Sequence, residues 1–186
     1  MKTNNSKEKV RQLQNKLYLT AKKCQKRRFH ALYDKVYRDD VLIEAWKRVK
    51  ANKGSSEVDG IRIEDIEKMG IEKYLKELKK ELREGKYIPS LVKRVIIPKP
   101  DGSERPLGIP TVRDRIVQMA AKIAIEPVFE ADFRECSYGF RPKRSAKQAL
   151  EVVRKACNNK GYYVVDADIE KFFDNVNQDK LMILIE

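Results

Sequence analysis

The sequence predicts an α/β protein that is mostly helical, with an edge β-hairpin and one further strand near its C-terminal end. Three observations support this fold class. Apolar residues recur at helical spacing in several segments. A β-branched run precedes an Asp-Gly turn in LVKRVIIPKPDGSERPLGIP, which is typical of a hairpin. The segment GYYVVDADIE alternates as a strand does.

The length and composition suit one ordinary domain, or one domain with a small extension. The chain has 186 residues, of which 41% are hydrophobic and 37% are charged. No apolar run approaches the roughly 18 residues of a membrane helix, so we expect no membrane partner. The N-terminal residues also lack the apolar segment of a secretory signal.

Each helix is predicted from its apolar spacing and its end signals. Gly85 is a natural stop for one helix, Pro127 should kink or end another nearby, and Ser145 should cap a third. In the first helix the apolar face includes Cys24 at its end. The predicted helical segments are residues 10–24, 42–49, 71–84, a buried helix within 111–130, and 145 to about 157.

The positive charge is concentrated at the N-terminal end of the chain. The formal net charge is +13, and residues 1–50 carry 15 Lys and Arg against 5 Asp and Glu. Such a surface attracts polyanions, of which nucleic acid is the commonest. The alternative is a solvated basic face without a partner. The cations left for solvent or ligand beside the first apolar face are Lys22, Lys23, Lys26, Arg27 and Arg28.

Histidine and cysteine are too few for several kinds of site. His30 is the single histidine and lies in the basic run KKCQKRRFHA, where we expect it to be solvated. This argues against a Cys/His zinc site and against Ser-His-Asp or Cys-His catalysis. The three scattered cysteines indicate ordinary thiols in a reducing compartment, in the bacterial cytoplasm or an organelle.

Two cations flank the turn of the predicted hairpin. Lys99 and Arg105 stand on either side of Asp101 and Gly102. A planar guanidinium paired with a lysine ammonium is a suitable grip for phosphates. The alternative is that both cations only keep an edge strand soluble.

A second basic segment, DFRECSYGFRPKRSA, interleaves aromatic and cationic side chains. This mixture suits base stacking combined with phosphate contacts. Its candidate RNA-binding residues are Arg141, Lys143 and Arg144.

The predicted strand over residues 162–169 becomes acidic at its C-terminal end. Alternation places Asp166 and Asp168 on one face, and Asp174 follows six residues later. Carboxylates at a strand end suit two-metal phosphoryl transfer, in which magnesium ions clamp the attacking and leaving oxygens. The alternative is that neighbouring lysines or helix N-termini satisfy these carboxylates.

Four blocks together resemble the group II intron-encoded reverse transcriptases, also called maturases. They are NKGSSEVDG, IPKPDGSERPLGIPTVRDRIVQ, SYGFRPKRSA and VVDADIEKFFDNV, in the family's order over roughly residues 50–180. The resemblance implies the fingers of a right-hand polymerase and the first palm strand. It divides the chain into a basic helical N-terminal extension (1–50), the fingers (51–160) and the start of the palm (161–186).

The resemblance also implies roles for individual residues. Asp168 matches the first catalytic aspartate of the palm, and the carbonyl of Ile169 completes that strand's metal ligands. Phe173 matches the aromatic residue that excludes a 2′-OH. Arg105 and Lys99 match residues that hold the incoming triphosphate. The resemblance assigns no metal to Asp166 or Asp174.

The implied activity is RNA-templated DNA synthesis, together with binding of intron RNA to assist splicing and mobility. A primer 3′-OH would attack the α-phosphate of a deoxynucleoside triphosphate, with Mg²⁺ as the cofactor. The implied partners are therefore intron RNA, template RNA, a DNA primer and deoxynucleoside triphosphates. Two alternatives stay open: a non-catalytic RNA-binding module, and the reverse transcriptase of a CRISPR-associated or other retroelement.

One departure from the family pattern qualifies these expectations. Only twelve residues follow Asp174, and the family's Tyr-Ala-Asp-Asp sequence does not occur in the chain. A two-metal site needs ligands from at least two strands. We therefore expect a truncated enzyme that binds RNA without polymerising, and whose uncovered surface permits a homodimer.

Overall fold

The structure is a computed structural model that describes residues 2–24, 26–52, 59–100, 102–159 and 163–185. Its contacts divide into two compact units, the first ending at Arg134 and the second beginning at Glu135. Most of the NKGSSEVDG block, together with Asp101 of the hairpin turn, lies outside the described residues. None of the described helices is both long and apolar enough to cross a bilayer.

The first unit is built from helices and one antiparallel pair of strands, which confirms the predicted fold class. In chain order its elements are α1 (Lys2–Lys23), α2 (Tyr33–Val36), α3 (Asp39–Ala51), α4 (Ile63–Met69), α5 (Ile71–Arg83), β1 (Lys93–Pro98), β2 (Glu104–Ile109) and α6 (Val112–Glu130).

The apolar faces predicted from spacing meet in the core of this unit. The buried face of α1 includes Val10 and Leu17, and α3 buries Trp46 against the same cluster. Helix α6 contributes Ile116 and Ile123, which are fully buried. Helix α6 packs on both α1 and α3, so the basic N-terminal helices share one core with the segment that follows the hairpin. Cys24 does not join that core; it lies just past the end of α1 and is exposed.

The C-terminal end of α6 is fixed by two features. The helix ends at Glu130, three residues after Pro127, in agreement with the predicted stop near the proline. The Nζ of Lys22 donates to the carbonyl oxygen of Ala131 at 3.1 Å. This places a cation at the negative end of the helix dipole and links the end of α1 to the end of α6.

Strands β1 and β2 form a hairpin that is exposed along most of its length. The register pairs Lys93 with Ile109 and Pro98 with Glu104. Only Val95 and Ile109 are half-buried, and the other residues of both strands are exposed. The described sheet contains these two strands and no third, so each keeps an unpaired edge, as the prolines predicted.

The buried carboxylate of Asp114 ties the base of the hairpin to α6. Asp114 is only 3% exposed and lies in the first turn of α6. Before the hairpin, the hydroxyl of Tyr87 and the N–H of Ser90 donate to its two carboxylate oxygens. After the hairpin, the hydroxyl of Thr111 donates to it at 2.6 Å, and the Asp114 N–H donates back to that hydroxyl. We call these four residues the Asp114 cluster.

The Asp114 cluster also changes the acidity of its tyrosine. Burial raises the pKa of the Tyr87 hydroxyl well above its ordinary value of 10.0, and the hydrogen bond to Asp114 raises it further. The tyrosine therefore stays protonated and remains a donor throughout the neutral and mildly alkaline range.

The second unit contains three described helices: α7 (Ala146–Asn158), α8 (Phe172–Asn175) and α9 (Gln178–Ile185). Ser145 caps α7 as predicted, because its hydroxyl accepts from the N–H of Gln148 while the Gln148 side chain accepts from the N–H of Ser145. None of the described residues of α7 or α9 is buried, and their large apolar side chains, such as Leu150 and Ile183, are exposed.

The strand predicted over residues 162–169 is not formed, which corrects that part of the prediction. Residues 163–169 have no regular secondary structure, and Tyr163 is 98% exposed. A strand satisfies its backbone N–H and C=O groups through a neighbouring strand. No described strand pairs with this segment, so alternation alone does not give it strand geometry.

Replacing Asp114 by Ala should destabilise the first unit by about 3 kcal/mol. Three donors would lose their acceptor, of which the Thr111 hydroxyl is buried and the Tyr87 hydroxyl belongs to a half-buried residue. Urea unfolding followed by far-ultraviolet circular dichroism measures this loss. The matched control is Asp132→Ala, which removes an exposed carboxylate from the same unit and should change the stability by less than about 0.5 kcal/mol. Equal stability of the two variants would contradict the role assigned to the cluster.

Candidate nucleic-acid and nucleotide interface

The register of the hairpin places Lys99 and Arg105 on the same face. Arg105 lies opposite Ile97. The Lys99 N–H donates to the Ser103 carbonyl at 2.8 Å, which continues the same ladder one step beyond the strands. Side chains two residues apart on one strand share a face, so Lys99 and Arg105 are diagonal neighbours, roughly 7–8 Å apart by their Cα positions.

The two hairpin cations are available to an anion. Both are exposed, and neither forms an ion pair with a described residue. Arg94 pairs with Gly108 in the register. It lies an odd number of residues from Ile97 along β1, so its side chain projects from the face opposite to that of Lys99 and Arg105. The hairpin therefore presents two cations at its tip on one side and a separate arginine on the other.

The basic residues at the end of α1 do not all have the same role. Lys22 is occupied by the Ala131 carbonyl. The guanidinium of Arg27 lies over the ring of Phe29, with its carbon 5.7 Å from the ring centroid. Lys23, Lys26 and Arg28 are exposed and form no ion pair with a described residue. These three cations are the most accessible of the five predicted from sequence.

A cleft of about 610 Å³ lies between α1 and residues 27–38. We call it the α1 cleft. Its lining is apolar at Leu13, Leu17 and Phe29, and cationic at Lys16 and Arg28, among others. His30 lies at the cleft and is exposed, as the sequence predicted.

In the second unit, two of the three predicted RNA contacts are engaged within the protein. Arg141 is only 9% exposed and donates from Nη1 to the Ser137 carbonyl at 2.8 Å. Arg144 pairs with the Glu135 carboxylate and lies over the ring of Tyr138 at 5.3 Å. Lys143 is exposed and has a left-handed backbone with φ of 62°. These contacts shape the loop before α7 and leave Lys143 as its most accessible cation.

The carboxylate-bearing segment is exposed and isolated from other metal-binding side chains. Asp166 and Asp168 are both exposed, in the irregular stretch before α8. Among the described residues, no three His, Cys, Asp or Glu side chains come together in a way that could hold a metal ion. Asp168 and the Ile169 carbonyl offer the hard oxygen ligands that Mg²⁺ prefers, but alone they do not complete a site.

Two aromatic rings follow this segment directly. Phe172 and Phe173 pack edge to face with their centroids 5.3 Å apart. Phe173 is 89% exposed, so one ring of the pair can contact a ligand.

Residues 97–186 match the family described as "Reverse transcriptase (RNA-dependent DNA polymerase)". The match begins within β1 and includes the hairpin tip, α6 and the segment with Asp168. This segment belongs to the reverse transcriptase family.

The likeness to known proteins extends beyond residues 97–186, because two relatives each match more than four-fifths of the chain. The chain is 36% identical over 180 residues to "Protein YkfC" of Escherichia coli K12, covering 93% of this chain and 47% of that protein. It is 35% identical over 158 residues to "Group II intron-encoded protein LtrA" of Lactococcus lactis subsp. cremoris, covering 84% of this chain and 26% of that protein. It is also similar to "Nuclear intron maturase 1, mitochondrial" of Arabidopsis thaliana, at 34% identity over 74 residues, which are 39% of this chain and 10% of that protein.

The predicted resemblance to group II intron reverse transcriptases is thereby confirmed. The chain spans less than half the length of each of these three relatives.

The Asp114 cluster was not predicted among the functional residues. One signal for part of it exists in the sequence, since Thr111 and Asp114 have the spacing of a helix capping box. That spacing does not reveal the donors from Tyr87 and Ser90, which lie 27 and 24 residues away along the chain. The cluster holds the base of the hairpin that carries Lys99 and Arg105.

Proposed function

We propose that this chain forms the fingers and the beginning of the palm of a group II intron-encoded reverse transcriptase. The enzyme would copy RNA into DNA from a primer 3′-OH and would bind intron RNA to assist splicing and mobility. The observation that carries the proposal is the hairpin tip, where two cations without an ion pair to any described residue share one face, within the segment that matches the reverse transcriptase family.

The hairpin tip would bind the triphosphate of the incoming deoxynucleotide. Arg105 can donate two parallel hydrogen bonds to phosphate oxygens, and Lys99 adds a compact positive charge beside it. Their charges would offset the negative charge of the triphosphate as the leaving pyrophosphate forms. The Asp114 cluster would support this role by fixing the hairpin at its base.

Asp168 would contribute a carboxylate to the catalytic centre, and the Ile169 carbonyl would lie beside it as a second ligand. Magnesium, when bound, would supply the charge that activates and positions the reacting oxygens. The described residues do not hold the ion by themselves, so the remaining ligands must come from other parts of the palm. Phe173 would lie under the sugar and exclude a 2′-OH.

The exposed cations at the end of α1 would bind the phosphate backbone of intron or template RNA. Lys23, Lys26 and Arg28 support this role because no described acidic side chain neutralises them. Lys143 would add a contact from the second unit. We expect the 186-residue chain by itself to bind RNA without synthesising DNA, and magnesium-dependent primer extension by the chain would contradict this.

Arg105→Ala should raise the KM for deoxynucleoside triphosphates about 10- to 100-fold in a reverse transcriptase that includes this chain. The loss corresponds to one or two charge-assisted hydrogen bonds to phosphate. Steady-state primer extension on an RNA template measures it. Arg94→Ala is the matched control, because it removes the same charge from the opposite face and should change KM less than about twofold. Equal effects of the two substitutions would refute a face-specific triphosphate site.

Asp168→Ala should lower the rate of DNA synthesis at least about a thousandfold in the same enzyme. Loss of a metal ligand removes several kcal/mol of transition-state stabilisation. The affinity for RNA should stay within about twofold, as measured by fluorescence anisotropy. Asp166→Ala serves as the control and should keep most of the activity. Normal primer extension by Asp168→Ala would show that the assignment is wrong.

Replacing Lys23, Lys26 and Arg28 together by Ala should weaken the salt dependence of RNA binding by the chain. Each lost phosphate contact lowers the log–log slope by about 0.7 on single-stranded RNA, or by about two in total. The control replaces Lys68, Lys73 and Lys76 on α4 and α5, which removes the same charge from another exposed surface. If both triple variants show the same slope, the RNA contacts do not lie at the end of α1.

A further inference from the structure

The α1 cleft combines an apolar interior with a cationic border. Its volume of about 610 Å³ lies within the range of small-ligand sites, roughly 300–1,000 Å³. Leu13 and Leu17 contribute buried apolar surface from α1, and Phe29 contributes a half-buried ring from the opposite side. Among the residues that the structure describes, no Asp or Glu side chain lines the cleft. A ligand with both an apolar and an anionic part would match this lining.

Cations without an acidic partner lie around the cleft. Lys9, Lys16 and Arg28 all line it, are exposed, and form no ion pair with a described residue. Two other lining cations, Lys35 and Arg38, are each paired with a neighbouring aspartate. The unpaired charges therefore come from α1 and from the segment that follows it, on both sides of the opening.

An arginine and an aromatic ring already form a stacked pair at the cleft. The guanidinium carbon of Arg27 lies 5.7 Å from the centroid of the Phe29 ring. Unpaired RNA bases stack on aromatic rings and on arginine guanidinium planes. A base can stack on the outer face of the Arg27 guanidinium, which the Phe29 ring supports from behind, next to the positive charges of Arg28 and Lys16.

We propose that the α1 cleft binds one unstacked nucleotide of the RNA, such as a bulged base. The base lies against Phe29 and Arg27 in the apolar interior, and the flanking phosphates contact Lys9, Lys16 and Arg28. The inference rests on the proposed RNA binding and adds to it a specific site and a feature of the RNA that the site recognises. An acidic peptide would match the cations but brings no planar group for the interior.

The test uses the 186-residue chain and two RNA hairpins of equal charge. One hairpin carries a single bulged 2-aminopurine, and the other carries 2-aminopurine within the paired stem and an extra nucleotide in the loop. We expect the bulged hairpin to bind about tenfold more tightly, since stacking one base is worth about 1–3 kcal/mol. Binding should also change the fluorescence of the bulged 2-aminopurine.

The variants separate stacking from charge. Phe29→Leu keeps an apolar side chain against the core but removes the flat ring. The ratio of the affinities for the bulged and the unbulged hairpin should therefore fall to about one. Phe29→Tyr keeps an aromatic ring and should therefore keep the preference for the bulged hairpin. Phe129→Ala removes an exposed ring from α6 and should leave the preference unchanged. Circular dichroism confirms the fold of each variant, and Arg28→Ala, an exposed substitution, should weaken binding of both hairpins.

Each of the following results would contradict one specific part of the proposal. Tight but equal binding of the two hairpins by the unaltered chain would overturn the nucleotide site and leave the proposed RNA binding intact. Failure to bind either hairpin would overturn the proposed RNA binding and the site with it. A bulge preference that survives in Phe29→Leu would place the site elsewhere. Displacement of the bulged RNA by oligoglutamate of matched charge would assign the cleft to acidic peptides.

Discussion

The carboxylate of Asp114 accepts hydrogen bonds from residues on both sides of the hairpin, and the placement of the hairpin depends on it. Tyr87 and Ser90 approach it from the segment before β1, and Thr111 from the segment after β2. The strands themselves are almost entirely exposed, so side-chain burial contributes little to their orientation. A buried acceptor shared by several donors is costly to leave unsatisfied, and this cost holds the base of the hairpin in one arrangement.

Local features of this fold could be predicted from the sequence, whereas features that depend on distant residues could not. Helices α1, α3, α5, α6 and α7, the hairpin and the Ser145 cap could be predicted because each depends on spacing within a few residues. The short helices α2, α4, α8 and α9 were not predicted, because so few residues give little periodic signal. The backbone conformation of the acidic segment around Asp168 could not be predicted in this way. A strand also needs a neighbouring strand to pair with, and the alternation of side chains gives no information about that neighbour. The Asp114 cluster was missed for a related reason: its donors lie far apart along the chain and meet only after α6 has packed.

Positive charge alone was also an incomplete guide to the candidate site. Lys22, Arg141 and Arg144 were all predicted RNA contacts, yet each is held by an oxygen of the protein itself. Lys23, Lys26 and Arg28 have no such partner among the described residues. The difference arises from packing. A lysine that packs beside the C-terminal end of another helix can donate to a carbonyl there, whereas a cation that follows the end of its own helix has no such carbonyl beside it. A count of cations therefore overstates the number that are free to meet a phosphate.

The position of the chain's single tryptophan has a practical consequence. Trp46 lies on α3 and is 5% exposed in the core shared by α1, α3 and α6. Indole emission responds to the polarity around it, and no second indole contributes to the signal. Tryptophan fluorescence, excited where tyrosine does not absorb, therefore follows the melting of the first unit and carries no direct signal from residues 135–186. A mismatch between the transitions followed by tryptophan fluorescence and by circular dichroism would accordingly show that the chain does not unfold in a single step.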